Sequence, residues 1–230
     1  MTTWIKVARF HLVDRFSYTA MPWAVLAIAF VISLALAGAE RGGGSAQVTS
    51  GAVAAIYLFF FAVGILTIGQ SLPFAFAIGV SRRAFYAGTV MLAVSLAAVY
   101  GLALAVLQAI EGTSGGWGVG LHFFRVAFIL PGPWYLTWIT SSVLLALMFV
   151  CGIWVGLIYR RWGMVGLLTF AVALVAALTV GIVAVSNAHG WPAIGRFFTT
   201  LSTAGFTGLL AALAATLLLG GYATMRHVTV

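Results

Sequence analysis

Polar and apolar positions along this chain fall into long blocks and do not alternate. Six apolar runs stand out, at 20–38, 51–72, 87–110, 136–159, 163–186 and 203–223. A helix needs about 20 predominantly apolar residues to cross the hydrocarbon core of a bilayer, and each run has roughly that length. In lipid every backbone N–H and C=O must be satisfied inside the structure, which leaves helices or closed barrels. Unbroken runs without a period of two exclude the barrel. The pattern therefore predicts an all-α polytopic membrane protein with six transmembrane helices in a single domain spanning 1–230.

Between the runs the polar segments differ in character. Residues 1–18 have the composition of an interfacial helix, with Ile5, Leu12 and Phe16 sharing a face that Arg9 interrupts. Lys6, Arg9, Asp14 and Arg15 run through this segment, and the apolar run after it is longer than a signal-peptide core, so it reads as a retained first span. Gly42-Gly43-Gly44-Ser45 reads as a flexible loop. The stretch 118–136 is apolar enough to be a seventh span, but that would place Arg125 near the bilayer centre at a cost of at least about 2.5 kcal/mol. An interfacial or re-entrant external segment is the better expectation, ended by the Pro131-Gly132-Pro133 turn. Trp191-Pro192 and Arg196-Phe197-Phe198 predict a second structured external connection.

Charge then orients the pattern. With the amino terminus inside, eight of the basic residues (Lys6, Arg9, Arg15, Arg82, Arg83, Arg160, Arg161, Arg226) fall on the cytoplasmic side and three (Arg41, Arg125, Arg196) on the other. This is the bias expected of a multi-pass protein of the cell membrane, the bacterial inner or plasma membrane, with both termini cytoplasmic. Composition agrees: 63% of residues are hydrophobic and only 6% charged, where a soluble domain carries about 25%. The net charge of +8 sits singly or in pairs between apolar runs, unlike the basic faces that bind nucleic acid.

Much chemistry is missing. The six runs contain no Asp, Glu, Lys, Arg or His, so the ionisable relay of a proton-coupled carrier is lacking. His11, His122, His189 and His227 all lie in loops or termini, and no serine of a span (Ser33, Ser71, Ser95, Ser141, Ser142) has a histidine beside it in a span. The single cysteine, Cys151, precludes an internal disulfide. With Lys6 the only lysine, no phosphate-binding Gly-rich loop ending in Lys-Ser/Thr can be assembled. No catalytic, metal or cofactor site is expected in this chain. The pairs Gly152 with Gly156 and Gly64 with Gly69, and the Ala-rich runs, predict close helix packing or dimerisation. No internal repeat is evident.

One polar connection has a distinctive order. Pro73-Phe74-Ala75-Phe76-Ala77-Ile78 leads into Gly79-Val80-Ser81-Arg82-Arg83-Ala84-Phe85-Tyr86 and the third span, an order that predicts a short cytoplasmic helix within this connection. Gly79 permits a tight bend, Arg82 and Arg83 can pair with carboxylates of a soluble partner, and Phe85 and Tyr86 can anchor the loop. The bland alternative is an arginine pair that only obeys the positive-inside rule.

This segment, 73–86, resembles the cytoplasmic coupling loop of the membrane (permease) subunits of ABC transporters of the type-2 exporter class. The layout of amphipathic amino-terminal helix, six spans and short basic tail is similar too. The resemblance implies an ATPase-coupling role for Phe76, Gly79, Ser81, Arg82, Arg83 and Phe85. It also implies ABC ATPase subunits as partners, with ATP and Mg bound there and not in this chain, and a second permease chain completing a homo- or heterodimer. The external segments here are too small for a large soluble domain, which points to a small amphipathic or hydrophobic substrate such as a drug, a peptide or a lipid. Gln70, Gln108 and Thr140 are the polar candidates along its path. The alternative from another class is a non-transporting membrane protein (an assembly, sensor or immunity component) that binds partners through the same loop.

Overall fold

The computed structural model describes residues 20–40, 48–49, 51–71, 79, 81–124 and 133–225. The expected interfacial helix at 1–18 and the Gly42–Ser45 loop lie outside them. Within them the chain is all-helical apart from two two-residue strands. Helix α1 is Met21–Glu40, α2 is Ala54–Leu66, α3 is Arg82–Thr113, α4 is Trp134–Asn187, α5 is Trp191–Thr200 and α6 is Thr203–Met225. Strands β1 (Val48–Thr49) and β2 (Leu121–His122) pair in parallel.

Four helices, α1, α3, α4 and α6, are long and apolar enough to cross a membrane. The run 51–72 holds a shorter apolar helix, Ala54–Gly69, and the chain from Thr67 to Ser71 is wound more loosely than an α-helix. The runs 136–159 and 163–186 are not separated by a loop but belong to the 54-residue α4. Its backbone leaves helical values at Gly163 (φ 65°, ψ −159°), a conformation essentially restricted to glycine. Trp154 and Ala173 line one groove, although a straight helix would hold them about 28 Å apart. The two arms of α4, 134–162 and 164–187, therefore fold back on each other.

The core lies between α2, α3 and the first arm of α4. Glycine sets the closest approach: a Cβ on Gly64 would overlap the Phe149 carbonyl, and one on Gly152 would overlap the Phe61 carbonyl. In lipid, where apolar surface gains nothing from leaving its solvent, backbone contact of this kind supplies the dispersion energy of association. Gly156 meets Ile68 in the same seam, whereas Gly69 has nothing within 4 Å. Around the seam Ile56, Phe60, Tyr100, Leu145, Phe149 and Ile153 are buried, and α1 adds Trp23 stacked on Tyr100 at 5.3 Å.

Helix α6 is held by polar handles. The Trp154 indole donates to the Leu217 carbonyl (2.8 Å) and the Tyr86 hydroxyl to the Leu218 carbonyl (2.6 Å). Thr140 and Thr207 meet Oγ1 to Oγ1 at 2.6 Å. Thr207 Oγ1 also lies 2.8 Å from the Thr203 carbonyl, to which it can donate.

Candidate functional site

The polar connection before α3 builds a defined turn. Gly79 has φ 77°, in the left-handed region that favours glycine. Ser81 is extended (φ −66°, ψ 145°) and caps α3: its Oγ accepts from the Ala84 N–H at 3.3 Å, and its carbonyl accepts from the Phe85 N–H at 2.9 Å. The helix thus starts at Arg82, inside the segment 73–86 expected to be loop, because Ser81 satisfies donors that would otherwise be orphaned.

Arg82 and Arg83 occupy the first turn, both exposed, with no acidic residue in that turn. Cations at a helix N-terminus oppose the macrodipole by about 0.3–1 kcal/mol each. Both side chains are nevertheless exposed at this helix start. The next two side chains turn inward. Phe85 is 1% exposed in the core, and Tyr86, besides its bond to Leu218, lies 5.6 Å from the Tyr222 ring. Phe85 is thereby an anchor within the bundle, not a surface available to a partner.

The remaining candidates are dispersed. Phe76 lies outside the described residues. Gln70 is in the last turn after α2, beside Ile68, which packs on Gly156. Gln108 is half-buried on α3, and Thr140 is 0% exposed in its contact with Thr207.

A second constellation, which the sequence reading left among the external loop residues, forms at the other end of α3. Glu111 is 1% exposed, yet it is an acid at the end of an apolar helix. Its Oε2 accepts from the backbone N–H groups of Phe123 and Phe124 (2.8 Å each) and from the Trp117 indole (3.3 Å). The His122 Nδ1 stands 3.6 Å from Oε1. Charge-assisted bonds of this kind compensate the desolvation of a buried carboxylate. They hold 114–124 against the bundle, where Phe30, halfway along α1, meets the rings of Trp117, Phe123 and Phe124 at 4.9, 5.3 and 5.7 Å. The described start of the stretch expected to be re-entrant, 118–124, thus turns back onto α1 and α3; 125–132 lie outside the described residues. The signal in the sequence was a lone acid followed by Gly115-Gly116-Trp117-Gly118, in which all four residues have positive φ.

The described residues offer no group of three or more His, Cys, Asp or Glu side chains able to hold a metal ion. No protein-family model, no curated protein and no solved structure matches the chain.

Proposed function

We propose that this chain is the permease subunit of an ATP-driven exporter, working with separate ABC ATPase subunits and a second permease chain to move a small amphipathic or hydrophobic substrate such as a drug, a peptide or a lipid. The observation that carries the reading is the loop at the start of α3. Arg82 and Arg83 are exposed on a capped, rigid helix start, while Phe85 and Tyr86 immediately behind them engage the core and α6. A push on the arginine pair would pass into two helices at once.

Six crossings with both ends on the cytoplasmic side fit this reading if α4 counts as two. The break at Gly163 follows Arg160 and Arg161, which the charge bias assigns to the same side as Arg82 and Arg83. The 32-residue α3, about 48 Å long, then links the arginine pair to the Glu111 clamp across the whole bilayer.

Affinity purification of the tagged chain from membranes, with and without the double change Arg82→Glu and Arg83→Glu, tests the proposal. An ATPase subunit should accompany the natural chain and be lost from the double variant, with membrane insertion unchanged. If no ATPase accompanies the natural chain in gentle detergent, the permease reading fails and a non-transporting partner-binding membrane protein takes its place.

A further inference from the structure

The crook of α4 carries a second basic pair and, beside it, an apolar groove. The groove is open to its surroundings and has a volume of about 530 Å³, within the range of small-molecule sites. Trp154, Ile158 and Trp162 of the first arm face Val165, Thr169 and Phe170 of the second across it. Its shape depends on two glycines. Gly163 makes the break that folds the arms back, and Gly166 leaves the space in which the Trp162 Cβ packs, since a Cβ at 166 would overlap it. From Trp154 to Trp162 the groove runs about 12 Å along the helix, enough for a substantial part of an acyl chain.

At the closed end of the crook, Arg161 lies over the Trp162 ring, 4.7 Å from its centroid. A guanidinium held over an indole ring keeps its charge and its N–H donors, which remain able to bond a phosphate. Arg160 is exposed beside it, and no carboxylate among the described residues lies within ion-pair distance of either. The cationic end and the apolar groove are continuous through Trp162. We infer that the α4 crook is a binding site for one anionic phospholipid, its phosphate on Arg160 and Arg161 and an acyl chain in the groove between the arms.

Charge complementarity favours lipid over a second copy of the chain as the occupant. The protein has only three acidic residues to offer a basic pair, and one of them, Glu111, is buried. Basic pockets between membrane helices at a cytoplasmic face bind anionic headgroups.

Native mass spectrometry of the full chain, purified in detergent doped with equimolar phosphatidylglycerol and phosphatidylcholine of matched acyl chains, tests the site. One phosphatidylglycerol should be retained per chain, preferred over phosphatidylcholine by about tenfold or more. The pair Arg160→Gln and Arg161→Gln should abolish the preference, while Arg196→Gln on α5 should leave it intact. Gly166→Leu, with both arginines present, should lose the retained lipid. Ala173→Trp fills the same groove from the second arm without disturbing Trp162, and decides the matter if Gly166→Leu does not fold. Equal retention of the two lipids overturns the inference, as does full retention by Ala173→Trp, which would reduce the effect to surface charge. Paired chains without lipid, separated by Ala173→Trp, would assign the groove to a second copy and overturn it as well.

Discussion

The two arms of α4 are similarly apolar, yet they live in different surroundings. In the first arm Leu145, Phe149, Gly152, Ile153, Gly156 and Leu157 are all buried against α2 and α3. In the second, Leu168, Val172, Val175, Leu178, Val180 and Ile182 are all exposed, and no residue from 164 to 187 is buried. Hydrophobicity does not separate them, because lipid and protein interior are equally apolar solvents. What separates them is fine texture. The first arm carries glycines where a neighbouring backbone crosses, and a hydroxyl (Thr140) and two indoles (Trp138, Trp154) that bond to other helices. In the second arm Gly181 has nothing within 4 Å, and Thr169 and Thr179 return their hydroxyls to their own helix, at Val165 and Val175.

The sharpest way to break this contrast is to add bulk at a glycine of each arm. Gly152→Leu would drive a side chain into the Phe61 carbonyl, and overpacking of a tight core costs typically 1–3 kcal/mol, more where backbone must move. Thermal unfolding in detergent should show a large loss of stability or no folded protein. Gly181→Leu should behave as the natural chain, and equal damage from the two substitutions would show that the second arm is packed after all.

A smaller effect is expected where a charge, not a shape, closes the packed half. Glu111→Ala leaves the Phe123 and Phe124 N–H groups without their acceptor, each at about 1–3 kcal/mol. Hydrogen exchange of 114–124 should accelerate strongly. Glu111→Gln keeps an acceptor oxygen and should fall between the two. Unchanged exchange in the Ala variant would mean that the aromatic contacts with Phe30 hold the segment without the clamp.

The smallest effect belongs to the seam between the first arm and α6. Hydroxyl bonds between membrane helices average about 0.6 kcal/mol and reach about 1.7, so a double-mutant cycle on Thr140→Val and Thr207→Val should give a coupling in that range. Zero coupling would make the 2.6 Å contact incidental. A coupling well above the range would mark this seam as a principal brace of α6.

Much of the architecture was legible in block pattern alone. Long apolar runs force helices because lipid offers backbone groups no partner, so helix content and the ends of α1 and α6 follow within a few residues. The bend at Gly79 was legible too, since a glycine acts locally. The helix start at Arg82 was not anticipated, because the arginines carried the appearance of a loop past the cap that ends it. The Glu111 clamp was missed for a different reason. A single acid between a helix and a Gly-rich loop looks like any external charge until the chain folds back and aims two N–H groups at it.

Composition and periodicity by themselves determined that this chain is helical and has the character of a membrane-embedded protein, because those properties depend on each segment and its solvent. Only the tertiary structure decided which face of each helix meets protein, that α4 folds back at Gly163, and that Glu111, Thr140 and Tyr86 find partners 12, 67 and 132 residues away. Those outcomes depend on close approach between distant backbones, set by the presence or absence of single methyl-sized groups. A hydropathy pattern, which weighs glycine and alanine nearly alike, carries no record of them.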